Sequence, residues 1–306
     1  MSPLYAKMLS RQAAEVLREV GGDILELGAG DGRLAGGIIS DLSERGVRCD
    51  YKILETSSAL RHRQESYLGD KAEWLSELPS SFTGVILANE VLDAVPFGVY
   101  TKRGGEWYER GVSYKGGELC WSERELSDAV LLRRFSEMSL PDGYTTEASL
   151  LGESLTSTLC ETLSRGLLLL SDYGFGRSEY YHPERVTGTL MCHRGHQSDS
   201  EPLLESGLKD ITSHVDFTSI AEAGLSGGAK LVGYTTQAHF LLNCGILESL
   251  SLESSDLDVS YARLSSGAQR LLGPHEMGEL FKFMGLTKGE IAPLLGFSGG
   301  CRLRQL

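Results

Sequence analysis

Residues 23–32, DILELGAGDG, place a short, mostly apolar run directly before three closely spaced glycines. The run has the length of a buried β-strand, and the apolar positions Leu34, Ile38 and Leu42 that follow have helical spacing. Glycines between a strand and a helix let the backbone turn tightly and approach a ligand, because no Cβ is in the way. Strand, glycine turn and helix together predict the first unit of a doubly wound α/β sheet.

The same alternation of strands and helices continues on both sides of this stretch. Further strands are predicted at residues 51–54, 72–74, 84–88, 167–170 and 230–234. Helices are predicted at residues 1–20, 34–46, 57–68, 122–135, 150–164 and 216–225, and from residue 274 through Met277, Leu280, Phe281 and Met284. Open sheets of this kind bind ligands at the carboxyl ends of their strands, so the residues that follow the strands are candidates for a site.

Four parts of the chain depart from this alternation. Residues 97–119 are aromatic-rich runs separated by glycine pairs, which predicts hairpins, whereas residues 175–210 are polar and loop-like. The serine- and acid-rich residues 248–260 are predicted to form an exposed connection, and residues 294–303 a terminal hairpin around Gly299-Gly300. We therefore expect the α/β sheet to carry inserted segments.

The composition disfavours several classes of protein. The 306 residues include 29 Lys and Arg against 42 Asp and Glu, which gives a net charge of −13. This charge argues against a nucleic-acid partner, because proteins bind a duplex largely through Lys and Arg side chains that neutralise its phosphates. No apolar run approaches the ~18 residues of a membrane span, and no signal-peptide pattern is present. The six cysteines are scattered without a CxxC pair, which argues against a zinc ribbon and favours the reducing cytoplasm.

The position of the third glycine indicates the cofactor class. A dinucleotide pattern G-x-G-x-x-G would place it at residue 33, which is Arg33, whereas it stands at Gly32. A short turn that carries the acidic Asp31 suits a ligand with an amino group, such as S-adenosylmethionine (SAM). Glu55, at the end of the next predicted strand, can accept both ribose hydroxyls of an adenosine. NAD, which also uses a glycine loop and an acid, is the alternative.

The predicted SAM site gathers these residues and several neighbours. Trp74 is placed there as a ring near the adenine, with an ordinary core position as its alternative. The residues assigned to cofactor binding are Glu26, Gly28, Ala29, Gly30, Asp31, Gly32, Glu55, Trp74 and Asn89.

The segment after the predicted strand 84–88 is NEVLDAVP, residues 89–96. In such a sheet the transferred group should lie at this point. Glu90 and Asp93 are three residues apart, and their carboxylates would face the same side if the turn is helical. Ordinary capping of the following turn by Asp93 or by the asparagine at position 89 is the alternative.

These segments resemble the MidA family of class I SAM-dependent methyltransferases, which includes the mitochondrial complex I assembly-factor methyltransferases. In the first half of the chain the resemblance rests on the glycine loop, on Ile53-Leu54-Glu55 and on the NExxDAxP segment. In the second half it rests on DYGF (172–175), EYYHP (179–183), GTLMCH (188–193), DITSHVDF (210–217), GYTTQAHFL (233–241), MGELFK (277–282) and LLGF (294–297).

The resemblance implies a fold and an activity. The fold is a Rossmann-like class I sheet with helices on both faces, in one domain over residues 1–306 whose insertions at about 97–165, 175–210 and 240–285 form a substrate-binding subdomain. Because mitochondrial members methylate an arginine of a respiratory complex I subunit, the implied reaction is methyl transfer from SAM to an arginine of a partner protein. An assembly factor that binds SAM and a partner with little or no catalysis, and a small-molecule methyltransferase, are the alternatives.

An arginine substrate explains the need for carboxylates. The guanidinium stays protonated at neutral pH, and a carboxylate can bind it, orient one nitrogen and localise the positive charge on the others. Glu90 and Asp93 are the predicted catalytic residues, and Asp172 is a weaker candidate whose alternative role is turn formation.

Two features differ from the family pattern. Val91 and Leu92 stand where family members carry aromatic residues, which weakens the idea of an aromatic slot for the substrate side chain. Relatives also carry a segment before the point at which this chain begins, so we expect a segment of this kind to cover the cofactor or to help bind substrate.

The remaining polar clusters have modest roles in this interpretation. The spacing within residues 192–196, CHRGH, matches no common zinc pattern, so no metal site is predicted. His214 and Asp216 are expected to organise a helix start. Tyr180 and Tyr181 fit either a substrate groove or the packing of a loop.

Overall fold

The structure, a computed structural model, describes residues 2–195, 197–252 and 259–306. The chain divides into two compact units, each with its own core of buried side chains. The sheet unit comprises Met1–Val91, Leu155–Tyr173 and Ala221–Arg304, and the hairpin unit comprises Leu92–Ser154, Gly174–Ile220 and Gln305–Leu306.

Helices and strands make up most of the described residues. The helices are α1 (Pro3–Val20), α2 (Arg33–Glu44), α3 (Ser58–Leu68), α4 (Ala129–Ser136), α5 (Leu150–Thr162), α6 (Arg177–Tyr180), α7 (Phe217–Ser226), α8 (Gln237–Asn243), α9 (Ile246–Leu252), α10 (Val259–Leu272) and α11 (Met277–Leu280). The strands are β1 (Asp23–Leu27), β2 (Tyr51–Leu54), β3 (Glu73–Leu75), β4 (Phe82–Asn89), β5 (Gly98–Arg103), β6 (Glu106–Lys115), β7 (Glu118–Glu125), β8 (Thr145–Ala148), β9 (Leu163–Phe175), β10 (Met191–Arg194), β11 (Gln197–Asp199), β12 (Asp210–Thr212), β13 (Val215–Asp216), β14 (Lys230–Thr236) and β15 (Phe281–Lys288). Short 3-10 helices lie at Gly69–Lys71, Leu295–Phe297 and Leu303–Gln305.

The sheet unit is built on a mixed sheet in the strand order β14-β15-β9-β4-β1-β2-β3. Neighbouring strands from β9 to β3 run parallel, whereas β15 runs antiparallel to both β9 and β14. The strand order reverses between β1 and β4, so the carboxyl ends of these two strands form the switch point at which such sheets bind ligands. The α/β fold predicted from the sequence is confirmed.

Burial of the central strands explains their sequences. The described side chains of β1 and β4 are almost all buried, as is the Leu167–Leu170 segment of β9. A parallel strand that is covered on both faces has a nearly continuous apolar run, which is the pattern present here. Helix α1 completes this core with its apolar face, and a Cβ at Gly37 of α2 would lie only 2.6 Å from the Cβ of Ala6. The glycine therefore allows α1 and α2 to approach closely.

The segment after Pro274 differs from the sequence prediction. A helix through Met277, Leu280, Phe281 and Met284 is predicted, but α11 ends at Leu280 and the next residue begins β15. β15 lies between β14 and β9, and nearly all of its side chains are buried. Because β15 is buried on both faces, its apolar residues do not alternate strictly, so their spacing also fits a helix and spacing alone cannot separate the two.

The hairpin unit contains a four-stranded antiparallel sheet, β7-β6-β5-β8, and a three-stranded sheet, β11-β10-β12. Its core is aromatic: the ring of Phe135 lies 4.5 Å from the ring of Trp107 and 5.4 Å from that of Tyr100. The hairpins predicted at 97–119 are confirmed. β10 and β11 are regular structure within the stretch 175–210, which the sequence predicts as a loop.

Three other sequence predictions need correction. The helix predicted at 122–135 begins only at Ala129, because residues 118–125 pair with β6 as strand β7. The predicted terminal hairpin is replaced by two 3-10 helices. Of the predicted connection 248–260, residues 253–258 lie outside the described residues, and the described remainder belongs to helices α9 and α10.

Candidate active site

The glycine turn after β1 needs glycine for its backbone conformation. Gly28, Gly30 and Gly32 have φ of +61°, +54° and +80°, in the left-handed region that side chains disfavour. The turn is closed by a hydrogen bond of 2.9 Å from the Gly32 N–H to the carbonyl of Ala29, and α2 begins directly after it. The turn therefore has an open inner surface: a Cβ at Gly28 would meet only the Val91 side chain, at 3.4 Å.

Asp31 is the exposed acid of this turn. Its carboxylate accepts a hydrogen bond of 3.1 Å from the Arg33 backbone N–H and pairs with the Arg33 guanidinium at 3.3 Å. An exposed ion pair contributes little to stability, so the carboxylate can exchange this partner for the ammonium group of a ligand.

Glu55 is held by a network that the sequence does not reveal. Its carboxylate accepts hydrogen bonds from the Ser57 N–H, at 2.8 Å, and from the side-chain amide of Gln64, at 3.0 Å. The same Gln64 amide donates to the carbonyl of Gly30 at 3.0 Å, and its oxygen accepts the Trp74 indole N–H at 3.0 Å. Gln64 is fully buried on α3, and it joins the glycine turn, the predicted ribose-binding acid and Trp74.

Gln64 is absent from the predicted site because nothing in the sequence distinguishes it. It lies nine residues after Glu55 in a helix of low amphipathicity, where a glutamine is normally solvent-exposed. Trp74 is half-buried and also packs against the core of the sheet unit. The ring of Trp74 thus has the core contacts stated as its alternative, its N–H belongs to the network, and its place near the adenine stays a prediction.

Glu26 lies at the base of the site, within β1. It is buried, and its carboxyl group accepts a hydrogen bond of 2.7 Å from the hydroxyl of Tyr51. Burial raises the pKa of Glu26 from 4.5 to about 7, the Tyr51 hydrogen bond lowers it and the charge of Glu55 raises it further. A carboxyl group with this pKa can exist as the acid or the carboxylate near neutral pH.

Glu90 follows β4 in an unusual backbone conformation. Its φ is +53°, which is rare for a residue with a side chain and is typical of functional turns. The Glu90 N–H donates to the carbonyl of Ser171 at 2.9 Å, and the side-chain amide of Asn89 donates to the Glu90 carboxylate at 3.3 Å. The residue as a whole is exposed, yet enough protein surrounds the carboxyl for desolvation to raise its pKa, while the Asn89 hydrogen bond lowers it.

Asp93 is not joined to Glu90 by a helical turn. A hydrogen bond from the Val95 N–H to the carbonyl of Leu92 closes a turn around Asp93, and Glu90 precedes this turn with its left-handed backbone. The helical geometry that would put both carboxylates on one side is therefore absent. Asp93 is buried and belongs to the hairpin unit, where its carbonyl accepts the Ser213 N–H at 3.3 Å. Its catalytic role stays a prediction.

Tyr5 is a second residue of this end of the sheet that the sequence does not reveal. It lies on α1, is 3% exposed, and its hydroxyl lies 2.5 Å from the Asn89 side-chain oxygen and 3.0 Å from the Ser171 hydroxyl. Burial raises the pKa of Tyr5, and the charges of Glu90 and Asp172 raise it further. Tyr5 therefore stays protonated and acts as a hydrogen-bond donor.

Asp172 is fully buried near the end of β9. One of its carboxylate oxygens accepts the N–H of Tyr173 at 2.9 Å, and β9 continues through both residues to Phe175, so the turn expected here is replaced by strand. A catalytic role for Asp172 stays a prediction. Lys282 of β15 is its register partner, and the Lys282 ammonium donates to backbone carbonyls at the end of α11. This arrangement puts a buried cation and a buried anion side by side in the sheet.

The clusters in the hairpin unit have structural roles. Tyr180 and Tyr181 are buried in its aromatic core, which favours packing over a groove. Asp216 accepts the N–H groups of Thr218 and Ser219, so the predicted helix start is confirmed. Of the CHRGH residues, His196 lies outside the described residues. Within the described ones, no group of three or more His, Cys, Asp or Glu could hold a metal ion.

Comparisons with known proteins bear directly on this site. Residues 8–235 match a protein-family model described as "Putative S-adenosyl-L-methionine-dependent methyltransferase". The chain is 39% identical to a COG1565 superfamily member from Burkholderia thailandensis whose crystal structure contains S-adenosyl-homocysteine. That comparison covers 100% of this chain and 82% of the other, with a TM-score of 0.95. A native crystal structure from the same organism gives a TM-score of 0.94 at 39% identity, covering 99% of this chain and 84% of the other.

Two curated relatives have more specific names. The chain is 29% identical over 271 residues to the mitochondrial protein arginine methyltransferase NDUFAF7 homolog of Drosophila melanogaster, covering 81% of this chain and 59% of that protein. It is 25% identical over 312 residues to mitochondrial protein arginine methyltransferase NDUFAF7 of Bos taurus, covering 86% and 66%. The chain thus spans less than two thirds of the length of either relative. In its described residues, no helix is both long and apolar enough to cross a bilayer.

Proposed function

This chain belongs to the MidA family of S-adenosyl-L-methionine-dependent methyltransferases, and we propose that it transfers the methyl group of SAM to an arginine side chain of a partner protein. The observation that carries the proposal is the position of Glu90. Glu90 lies at the switch point of the sheet, directly after Asn89, the last residue of β4. The next residue is Val91, whose side chain borders the glycine turn. A carboxylate at this point can bind and orient a guanidinium group.

The residues of the glycine turn fit SAM. A Cβ at Gly30 would meet nothing within 4 Å and one at Gly28 only the Val91 side chain, so this part of the turn has room for a ligand, and Asp31 offers a carboxylate for the amino group. Glu55, oriented by Gln64, can accept the two ribose hydroxyls. The bound cofactor supplies a methyl group on a positively charged sulfur, which is an electrophile.

Glu90 has two tasks in the proposed reaction. As a carboxylate it accepts hydrogen bonds from the guanidinium and aims one nitrogen, which limits the freedom of the nucleophile. The attacking nitrogen gives up one proton overall as the new N–C bond forms, and Glu90 can receive it because desolvation raises the pKa of its carboxyl group. Both tasks require the ionised form at the start of the reaction.

The names of the relatives support a protein substrate and leave its identity open. Both are called protein arginine methyltransferases, and both are longer than this chain, so arginine methylation and a protein partner are proposals here. A respiratory complex subunit as the partner is part of the same proposal, and it comes from the family resemblance.

A reducing compartment such as the cytoplasm is proposed for the protein. All six cysteines are free, and burial raises the pKa of Cys160 and Cys244 to about 12, which keeps these thiols unreactive. The mitochondrial names of the relatives describe those proteins.

The test is a labelling reaction with methyl-tritiated SAM and an extract of source cells that lack the protein, since such an extract holds unmethylated partner. We expect label in protein, recovered as methylarginine after acid hydrolysis. Extract without added enzyme is the control. Label that appears only in small molecules would support the small-molecule alternative and contradict the proposal. Sustained absence of label while S-adenosyl-homocysteine binds would favour the assembly-factor alternative.

A further inference from the structure

The hydroxyl of Tyr5 connects helix α1 to the catalytic carboxylate. Tyr5 is nearly fully buried, and its ring lies 6.3 Å from the ring of Phe283 in β15, so the side chain is fixed by packing. From there the hydroxyl reaches the end of β4, where it lies 2.5 Å from the side-chain oxygen of Asn89. This contact joins residues that are 84 positions apart in the chain.

The contact determines which way the Asn89 amide points. An amide has an accepting oxygen on one side and a donating NH₂ group on the other. Because the Tyr5 hydroxyl donates to the oxygen, the NH₂ group of Asn89 must face the other way, and there it donates to the Glu90 carboxylate at 3.3 Å. With the amide reversed, its oxygen would face a carboxylate, and two acceptors repel.

A third residue, Ser171, completes this set of hydrogen bonds. The Ser171 hydroxyl lies 3.0 Å from the Tyr5 hydroxyl, and since the Tyr5 proton is used for Asn89, Ser171 is the donor in this pair. The carbonyl of the same Ser171 accepts the Glu90 N–H at 2.9 Å. Ser171 therefore contacts both Tyr5, where this relay of hydrogen bonds begins, and the backbone of Glu90, where it ends.

Glu90 has particular need of such support. Its left-handed backbone, at φ +53°, is unfavourable for a residue with a side chain and persists only where the surroundings hold it. Among the described contacts, the Asn89 amide is the group that donates a hydrogen bond to the Glu90 carboxylate. An oriented amide beside it restricts its rotation.

We propose that Tyr5 is a positioning residue for methyl transfer, because its hydroxyl orients the Asn89 amide, which in turn holds the Glu90 carboxylate in its working position. The inference rests on the proposed function for the role of Glu90 in the reaction. The geometric part, the relay from Tyr5 through Asn89 to Glu90, can be tested without any methylation assay.

The first test measures the pKa of Glu90 in the Tyr5→Phe variant, which keeps the ring and removes the hydroxyl. Glutamate labelled with ¹³C at the carboxyl carbon is titrated by NMR, and the Glu90 signal is identified by its loss in Glu90→Gln. The Asn89 hydrogen bond lowers the pKa of Glu90, so freeing the amide should raise that pKa. An unchanged pKa of Glu90 would overturn the proposal.

The matched control is Tyr144→Phe in the hairpin unit. Tyr144 is also fully buried, and its hydroxyl donates to the carbonyl of His182 at 3.1 Å. Both variants lose one buried hydroxyl and one hydrogen bond, but only Tyr5→Phe should move the pKa of Glu90. If Tyr5→Phe does not fold, Asn89→Leu removes the middle of the relay. A raised pKa of Glu90 there supports the relay, and an unchanged one overturns it.

The second test concerns the reaction. In Tyr5→Phe we expect kcat to fall about ten-fold, the size expected from one lost orienting hydrogen bond, with unchanged affinity for S-adenosyl-homocysteine. The acidic limb of the pH–rate profile should move to higher pH together with the pKa of Glu90. A normal kcat and profile would contradict the positioning role. A moved pKa in a protein without arginine methylation would leave the relay intact and count against the proposed function.

Discussion

The candidate site has two parts, a cofactor end and a proposed catalytic end, which are built in different ways. The cofactor end, formed by the glycine turn, Glu55, Gln64 and Trp74, is held by hydrogen bonds between residues nine, ten and 34 positions apart. The catalytic end, formed by Tyr5, Asn89, Glu90 and Ser171, is held by side-chain contacts across 84 and 166 positions. The first is assembled from successive elements, and the second exists only once α1, β4 and β9 have come together.

In the proposed reaction, this difference would separate cofactor binding from methyl transfer. Residues of the cofactor end are joined to one another by the hydrogen bonds of Gln64, and the catalytic end has its own set of hydrogen bonds. A change at one end should therefore leave the other largely intact, because residues without shared partners act almost additively. The effects expected on methyl transfer and on cofactor binding test whether the cofactor end and the catalytic end are independent.

The largest effect is expected at the catalytic end. Glu90→Gln keeps the shape and can still accept one hydrogen bond from a guanidinium, but it removes the charge and the proton acceptor. We expect kcat for methyl transfer to fall at least about 10³-fold, a combined loss of orientation and proton acceptance. The labelling rate in the extract assay measures this, and wild-type rates in the variant would remove Glu90 from the mechanism.

The second effect is a pH dependence of stability caused by Glu26. Its pKa is about 7 in the folded protein against 4.5 in the reference state, so between these pH values the folded chain binds the proton that the unfolded chain releases. Stability should therefore fall as pH rises through this window. The difference of about 2.5 pKa units, at about 1.4 kcal/mol each, amounts to about 3.5 kcal/mol.

Glu26→Gln should abolish this contribution while keeping an acceptor for the Tyr51 hydroxyl. Urea unfolding between pH 4.5 and 8 measures it as the difference between the wild-type and variant curves. Glu290→Gln, at a side chain that is 97% exposed, is the control and should follow the wild type. If the free energy of unfolding changes with pH in the same way in the wild type and in Glu26→Gln, the pKa of Glu26 is not raised in the folded protein.

A smaller effect is expected from the network that orients Glu55. Gln64→Leu keeps the volume but removes the three hydrogen bonds to Gly30, Glu55 and Trp74. We expect about ten-fold weaker binding of S-adenosyl-homocysteine by calorimetry, because the carboxylate loses its fixed orientation.

The control for Gln64→Leu is Gln12→Leu on α1. Gln12 is equally buried and accepts the Gly296 N–H at 2.8 Å, away from the cofactor end. Both variants should be less stable than the wild type, but only Gln64→Leu should bind S-adenosyl-homocysteine more weakly. Equal affinities for the two variants would mean that Glu55 needs no support from Gln64.

The cofactor end could largely be predicted from the sequence because it is local. The glycine turn follows β1, Glu55 follows β2 and Trp74 lies within β3, and periodicity together with turn residues locates those strands. The exception is Gln64, whose burial depends on how α3 packs. A glutamine in a helix carries no signal of its own until the fold is known.

The catalytic end and part of the sheet could be predicted less well, for two physical reasons. Tyr5 has the spacing of an ordinary core residue of an amphipathic helix, and its hydroxyl gains meaning only from β4 and β9. β15 is buried on both faces, so its pattern fits a helix as well as a strand. The assumed helical turn from Glu90 to Asp93 fails because the backbone of Glu90 is left-handed.

The most direct test of the two-end account is a calorimetric titration of S-adenosyl-homocysteine into the wild type, Glu90→Gln and Glu55→Ala, with NADH as the control ligand. We predict one site and equal affinity in the wild type and Glu90→Gln. In Glu55→Ala we expect about 100-fold weaker binding, because two charge-assisted hydrogen bonds to the ribose are lost, and no binding of NADH to any of the three proteins. Loss of affinity in Glu90→Gln as large as that in Glu55→Ala would contradict the separation of binding from chemistry.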